Sequence, residues 1–282
     1  MDLPQLLLDA KAFREADAAE LSRSLDRLAE ALGEAWALVR SDANQGPSKL
    51  AHRLTGLDFV AVAGGSFDLG LSSDDIAEAA EYLDFGSEVA ARLASLQARA
   101  EPVHRVTVHP FLCSERLLDA QTIAALSAGK LARPTVSRAS ARDLASALGL
   151  RLASEAELEW VARDGGKTRF TLDAARDRER IANDDRRLRS CFGLREMNEG
   201  TWAEDDWHPS YEGAPSDSRP WFDGSVEGVV RGGFWLMAMQ SDEELLDALA
   251  AVRYRGVQTA RVRLVFPFGE LGQLPADTRT QG

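Results

Sequence analysis

Residues 151–160, R-L-A-S-E-A-E-L-E-W, contain the clearest helix start in the sequence. Ser154 is a favourable N-cap residue, and Glu157 stands three positions later, where its side chain completes a capping box. Gly165 and Gly166 follow the acidic and apolar run and predict its end. We therefore predict a helix from Glu155 onward, with Glu155 and Glu159 on the same face.

Short strands and glycine turns surround this helix in the sequence. A second helix is predicted from a serine cap at Ser137 to Gly149, and an acidic and apolar run predicts a third over residues 242–252. Alternating or short apolar runs predict strands on both sides of these helices. The strand segments are LDFVAVAGGSFDLG (57–70), HRVTVHPFLCSE (104–115), EGVVRGGFWLMAM (227–239) and ARVRLVFP (260–267).

The N-terminal region, residues 1–48, is predicted to be a separate helical segment. Its apolar residues recur at spacings of three and four and form one helical stripe: Leu21, Leu25, Leu28, Leu32, Ala35 and Val39. Such a stripe suits packing on the chain's own core or a partner-binding, coiled-coil-like seam. The stripe is short, so we favour packing on the core. Residues 41–48, SDANQGPS, predict a break.

The remaining organisation follows from composition. Residues 57–268 are predicted to form the main domain, with a helical insertion at about 74–100 that is rich in alanine, leucine and glutamate, and residues 269–282 form a flexible tail. Hydrophobic residues make up 45% of the chain and charged residues 28%, which is typical of a globular protein.

The chain is acidic, with a formal net charge of −12. Such a surface disfavours nucleic-acid phosphate and anionic lipid as general partners. The two cysteines, Cys113 and Cys191, are too few for a disulfide framework and lack zinc-site spacing. No signal peptide or spanning segment is evident, so we expect a cytoplasmic protein.

Several separated segments, in order, resemble the formylglycine-generating-enzyme (sulfatase-modifying factor) family. This resemblance implies an α+β, loop-rich, C-type-lectin-like fold. One of the loops, residues 207–215, is similar to a loop common in bacterial members. The matching segments are GGSF…G (64–70), EPVHRV (101–106), RLASEAELEW (151–160), FGL…M (192–197), WHPSYEGAP (207–215), VRGGFW (230–235) and RVRLV (261–265).

The chain departs from that family where its oxidase chemistry would lie. The resemblance implies two copper-binding cysteines near the C-terminal end, but no cysteine occurs between Trp235 and Phe266. Soft thiolates are the ligands that copper(I) requires. We interpret Cys113 and Cys191 as small buried core residues. We therefore expect no copper.

A second branch, which resembles the sulfoxide synthases of ergothioneine synthesis, binds iron through an H-x-x-x-H-x-E pattern. The four histidines, at positions 52, 104, 109 and 208, form no such cluster. We therefore expect neither non-haem iron nor haem. Members of the family also bind structural calcium near the loop that corresponds to residues 197–202. Oxygen ligands for calcium are available here, although a solvated acidic loop is an equal interpretation: Asn198, Glu204, Asp205 and Asp206.

Several side chains are candidates for a binding groove in the loop-rich third of the chain. His208 lies beside an aromatic and acidic run and is interpreted as a packing residue rather than a base. Arg231 is expected to pin loops through carbonyl oxygens, with recognition of a ligand carboxylate as the second interpretation. The groove candidates are Trp202, His208, Tyr211, Trp221, Arg231, Phe234, Trp235, Met237 and Gln240.

The acidic pair Glu155 and Glu159 permits two interpretations. A carboxylate pair can carry out acid–base catalysis. The interpretation that we favour is structural, with these glutamates paired to neighbours such as Arg151 or Arg163. The scaffold motifs of the family are present but its metal ligands are missing. We therefore predict a non-oxidase, pseudoenzyme-like module, which binds a protein or a ligand and is not an enzyme. The alternatives are a metal-dependent, oxygen-using enzyme with a rebuilt site, for example at Asp205, Asp206 and His208, and a structural subunit of a larger assembly.

Overall fold

The computed structural model describes residues 3–39, 48–75, 77, 97–168, 190–197, 199–232, 253–256 and 258–268. Within these ranges the chain forms a mixed α+β fold with antiparallel sheets and long loops. No helix in this part of the chain has the length and apolar character needed to cross a membrane. A 3-10 helix spans Gln5–Leu8, and the α-helices are α1 (Ala10–Glu15), α2 (Ala18–Leu32), α3 (Ala120–Leu126), α4 (Arg138–Ala147) and α5 (Glu155–Ala162).

The described strands form three antiparallel sheets. The largest has the order β1-β2-β3-β6-β11-β7, the second has the order β10-β9-β8, and β4 pairs with β5. The strands are β1 (Trp36–Val39), β2 (Lys49–His52), β3 (Leu57–Val62), β4 (Gly65–Leu69), β5 (His104–Val108), β6 (Phe111–Ser114), β7 (Arg151–Leu152), β8 (Thr201–Asp206), β9 (Gly228–Arg231), β10 (Arg253–Arg255) and β11 (Leu264–Pro267).

The N-terminal helices pack on the chain's own core. Asp17 caps α2 by accepting a hydrogen bond from the backbone of Glu20. Leu25 and Leu28 are buried in the same hydrophobic cluster as the strands of the large sheet. The apolar stripe of α2 is therefore used inside the molecule, as the interpretation that we favoured requires.

The prediction of helix beyond residue 33 is wrong. Gly33 ends α2 with φ +76, a left-handed conformation that glycine adopts without strain. Residues 36–39 then form β1 and pair with β2. Trp36 packs edge-on against Phe59 with ring centroids 5.1 Å apart. Ala35 and Val39 thus do not belong to the helical stripe, because the helix ends before them. The indole ring of Trp36 is buried in the sheet and not on a helix face.

Helix α5 lies where the two smaller sheets meet, and every one of its residues is buried. The predicted capping box of Ser154 and Glu157 is confirmed. Gly65, on β4, approaches the ring of Trp160 so closely that an added Cβ would lie 2.7 Å from it. The glycine turn and the helix therefore pack together only because this position has no side chain.

Other local predictions are also confirmed. Helix α4 begins after the Ser137 cap, and the predicted strands of residues 57–70 and 104–115 are β3 to β6. Of the predicted insertion at 74–100, residues 73–75 and 97–99 are helical, and most of the rest lies outside the described residues. The predicted break at 41–48 lies outside them except for Ser48. The predicted helix at 242–252 and the tail from residue 269 lie wholly outside them.

Replacing Leu28 with alanine tests whether α2 belongs to the core. Leu28 has no exposed surface, so the cavity should lower the free energy of unfolding by about 2–5 kcal/mol. Urea denaturation of the two proteins measures this difference. The matched control is Leu8→Ala, because Leu8 is 43% exposed and its loss should cost less than about 1 kcal/mol. Equal effects of the two substitutions would show that α2 does not contribute to the core.

Candidate functional site

The carboxylates of Glu155 and Glu159 meet the guanidinium of Arg231 at the centre of the fold. Nη1 of Arg231 lies 2.9 Å from Oε1 of Glu155, and Nη2 lies 2.6 Å from Oε2 of Glu159. The three side chains are exposed by 4% or less. Arg231 therefore pairs with carboxylates, which the sequence analysis did not predict as its partners, and it joins β9 to α5.

A second arginine, Arg253 on β10, binds the same helix. Its Nε lies 2.6 Å from Oε1 of Glu155, and its Nη2 donates to Oε2 at 2.9 Å. Its guanidinium also lies 4.6 Å from the ring centroid of Trp207 and 4.6 Å from that of Tyr211. Ion pairing and cation–π contact act together here, because the site is shielded from water.

The hydroxyl of Tyr211 completes this cluster. It donates to Oε1 of Glu155 at 2.9 Å and accepts from Nη1 of Arg231 at 2.8 Å. Arg163 also pairs with Glu159, at 3.0 Å. We call this cluster the α5 network, and its members are Glu155, Glu159, Arg163, Tyr211, Arg231 and Arg253.

The electrostatics of the α5 network favour a fixed charge state. Burial alone would raise the pKa of Glu155, but Arg253 and Arg231, together with the Tyr211 hydrogen bond, lower it overall. Burial raises the pKa of Tyr211 well above its ordinary value. Glu155 is thus ionised and Tyr211 protonated at neutral pH. A cluster with paired oxygens and buried side chains holds the fold together and offers no accessible acid–base pair.

Glu157 points away from this network. Its two carboxylate oxygens accept from Arg151 at 2.6 and 2.7 Å, and one of them also accepts from the backbone N–H of Ser154 at 2.8 Å. The predicted partners Arg151 and Arg163 are therefore both used, the first by Glu157 and the second by Glu159. The partners of Glu155 were not predicted.

The acidic run on β8 is buried rather than a solvated loop. Oε1 of Glu204 pairs with Arg142 at 2.8 Å, and Oε2 accepts from the backbone of Leu152 at 3.1 Å. The oxygens of Asp205 accept the backbone N–H groups of Glu155 at 2.7 Å and Trp221 at 3.0 Å. Burial raises the pKa of Asp205 to about 7. These carboxylates terminate hydrogen bonds of the scaffold.

Asp206 holds a loop. Its Oδ1 pairs with Nη2 of Arg138 at 2.7 Å, and its Oδ2 accepts the backbone N–H groups of Asp223 at 3.0 Å and Gly224 at 2.9 Å. Burial alone would raise the pKa of Asp206, but the Arg138 and backbone hydrogen bonds lower it overall. The Asp206 carboxylate is therefore charged and fully used.

The described members of the proposed calcium set, Glu204, Asp205 and Asp206, do not form one site. Glu204, Asp205 and Asp206 each direct their oxygens at protein N–H groups. Asn198 lies outside the described residues. Among the residues that the structure describes, no group of three or more His, Cys, Asp or Glu side chains is arranged to hold a metal ion. The alternative metal site at Asp205, Asp206 and His208 is therefore not formed in this structure either.

His208 is a packing residue in this structure. Its ring stacks on Trp221 with centroids 3.5 Å apart and planes at 4°. Nδ1 lies 3.0 Å from the backbone oxygen of Asp206, and Nε2 lies 3.3 Å from a carboxylate oxygen of Asp223. The ring fixes the position of the Trp221 side chain above β8.

The other groove candidates fall into two groups. Trp202, Tyr211 and Arg231 are buried, which differs from the prediction that they line an open groove, because their polar groups bind the interior. The Trp202 Nε1, for instance, donates to the carbonyl of Val136 at 2.8 Å. Trp221 is partly exposed. Four candidates lie outside the described residues: Phe234, Trp235, Met237 and Gln240.

Burial keeps the thiols of both cysteines in their neutral form. Burial raises the pKa of Cys113 to about 12 and that of Cys191 to about 12. Cys113 is buried on β6, as predicted, whereas Cys191 is only half-buried.

Sequence reasoning missed Arg253 and the role of Asp206. Arg253 follows an apolar helical pattern and its carboxylate partner is far away in the sequence, so no local signal marks it. The sequence predicted Asp206 only as a possible metal ligand and not as the residue that binds the backbone of Asp223 and Gly224. The excess of glutamates on α5 was the available signal, because buried carboxylates require arginine or lysine partners.

No protein-family model matches the sequence, and no curated protein matches it. Among solved structures, PvdO from Pseudomonas aeruginosa aligns with a TM-score of 0.56 at 19% identity, covering 82% of this chain and 98% of PvdO. The fold is related to that of PvdO. PvdO has a formylglycine-generating-enzyme-like fold, so the fold of this chain is distantly related to that fold. Treponema denticola variable protein 1 aligns with a TM-score of 0.49 at 14% identity, covering 82% of this chain and 99% of that protein.

Replacing Arg231 with methionine tests the α5 network. The substitution leaves Glu155 and Glu159 buried without one partner and should lower the free energy of unfolding by about 3–5 kcal/mol. Urea denaturation measures the loss. The matched control is Arg105→Met, which breaks the surface pair between Arg105 and Asp68. These two side chains are 62% and 61% exposed, so the loss should be less than about 1 kcal/mol. Similar losses in the two variants would contradict a central role for Arg231.

The Asp206 carboxylate predicts a pH dependence of stability. Its folded pKa lies below the ordinary value of 3.8, so its contribution is present above pH 3.8 and is lost as pH falls through the folded value. Asp206→Asn should therefore destabilise the protein at about pH 7, and its deficit relative to the wild type should shrink toward about pH 3. Urea unfolding across this range measures the deficit. The control Asp143→Asn replaces an exposed aspartate on α4 and should cost less than about 1 kcal/mol at about pH 7. A deficit of Asp206→Asn that is constant with pH would contradict the assignment.

Proposed function

We propose that this chain is a non-oxidase member of the formylglycine-generating-enzyme family, with a C-type-lectin-like scaffold, that binds a protein or ligand rather than catalysing a reaction. The observation that carries the proposal is the α5 network. Two segments resemble the family most, residues 151–160 and 230–235. In their described parts, Glu155 and Glu159 of the first segment bind Arg231 of the second in the interior. These residues hold a scaffold and leave recognition to surface loops.

The chemistry of the cysteines supports the same proposal. An oxygen-using copper centre of the family type requires a pair of cysteines near the C-terminal end, and this chain has no cysteine between Trp235 and Phe266. Cys113 is enclosed in the large sheet. A metal-dependent enzyme built on Asp205, Asp206 and His208 is the weaker candidate, because the oxygens of both aspartates accept protein N–H groups.

The proposed binding face consists of the loops that run from the end of β8 to Trp221, together with residues 234–240, which lie outside the described residues. These loops are fixed from below by charged side chains, as in scaffolds whose binding residues are presented on loops. Arg253 donates to the carbonyl of His208 at 3.0 Å, and Asp205 accepts the N–H of Trp221 at 3.0 Å. Because such loops are already fixed, they lose less conformational entropy when a partner binds.

Oxygen consumption tests the proposal directly. The purified full chain is loaded anaerobically with copper(I) or with iron(II) and is then given oxygen and either a cysteine-containing peptide or a free thiol. We expect the rate to equal that of the metal without protein, and Cys191→Ser to behave as the wild type. Robust oxygen-dependent turnover that Cys191→Ser or His208→Ala abolishes would overturn the proposal in favour of an enzyme.

A further inference from the structure

Residues 221–227, which we call the 221–227 loop, are held tightly to β8. Asp206 accepts the backbone N–H groups of Asp223 and Gly224 at 3.0 and 2.9 Å. The backbone N–H of Asp206 itself donates to the carbonyl of Trp221 at 2.9 Å, and the N–H of Trp207 donates to that of Glu227 at 2.9 Å. Both ends and the turn of the loop are therefore fixed.

This fixed loop presents apolar side chains to water. Phe222 is 51% exposed and Val226 is 95% exposed. The guanidinium of Arg142, on α4, lies 5.2 Å from the ring centroid of Phe222 and covers one side of it. Exposed side chains add little to the stability of the monomer, so these two apolar side chains are available for contact with another molecule.

The charges around the loop favour a cationic partner. Arg142 is neutralised by Glu204 at 2.8 Å, and Arg255 is neutralised by Glu227 at 2.6 Å. The Asp223 side chain is 50% exposed, and in the described part of the chain it pairs with no arginine or lysine but faces Nε2 of His208 at 3.3 Å. The loop therefore combines two exposed apolar side chains with one half-exposed carboxylate, whose Oδ1 accepts the backbone N–H of Ser225 at 2.8 Å, on a chain of net charge −12.

We propose that the 221–227 loop is the docking surface for a segment of a partner protein that carries an apolar side chain next to a lysine or arginine. The apolar side chain packs on Phe222 and Val226, and the neighbouring cation pairs with Asp223. This inference rests on the proposed binding function and names its surface and the chemistry of its partner. A contact through two apolar side chains and one carboxylate is typical of weak, transient binding rather than of a permanent complex.

A displayed library of random peptides tests the partner's chemistry. The full chain is immobilised, and peptides are selected in parallel on the wild type and on the double variant Phe222→Ser, Val226→Ser. We expect sequences enriched on the wild type alone to contain an apolar residue beside lysine or arginine. Enrichment of acidic peptides, or of the same peptides on both proteins, would overturn the proposal.

Affinities of one selected peptide then locate the site. By fluorescence anisotropy, the double variant should bind at least about 10-fold more weakly, since apolar anchors carry much of the energy of small interfaces. Asp223→Asn should bind more weakly, and its affinity should depend less on salt than that of the wild type. The matched control Leu54→Ser, which removes a side chain that is 70% exposed in the turn between β2 and β3, should bind as the wild type does.

Other outcomes separate this inference from the proposed function. A peptide whose affinity is unchanged by the double variant would disprove this surface while leaving a binding function intact. Self-association that the double variant abolishes, with no selected peptide, would identify a second copy of the chain as the occupant and would disprove the basic partner. Failure to select any peptide, together with oxygen-dependent turnover, would contradict both proposals. Because both substituted side chains are at least half-exposed, the double variant should unfold at the same temperature as the wild type.

Discussion

The ion pairs between α5 and two arginines are the constraint on which the rest of this structure depends. Glu155 is buried with both oxygens in contact with guanidinium groups of Arg231 and Arg253. A carboxylate in such an interior is tolerated only while its partners are present, because an unpaired buried charge costs several kcal/mol. The position of Glu155 therefore dictates where β9 and β10 lie. The two strands pair with each other in one sheet, where Arg231 and Arg253 lie opposite each other, and both arginines bind this helix.

This constraint also determines what the motif segments contribute to function. Charged residues in a glycine-rich and tryptophan-rich sequence are candidates for catalysis, but catalysis requires groups that a substrate can reach. In the α5 network each charge is matched by a neighbour and shielded from water. Replacing such a residue changes stability before it changes any chemistry. The proposed recognition then falls to exposed side chains such as Phe222, which can vary without disturbing the network.

The sequence predicted the local structure well where the signal was local. The capping box at Ser154, the Ser137 cap and the strands around Gly65 all depend on neighbouring residues, and all are present. The helix predicted across Ala35 failed because spacing alone continued the stripe past Gly33, whose left-handed φ ends α2. The period of a short apolar pattern cannot outweigh a glycine at a helix end.

The candidate site was harder to predict, because carboxylate oxygens serve several partners equally well. Asp205 and Asp206 have the ligand type that calcium prefers, and the same oxygens also accept backbone N–H groups at helix starts and loops. Only the three-dimensional direction of these donors distinguishes the two uses. In this chain the donors come from α5 and the 221–227 loop, residues distant in the sequence. The acidic run therefore acts as an anchor for a surface loop, and the exposed residues of that loop are where recognition by this fold can be sought.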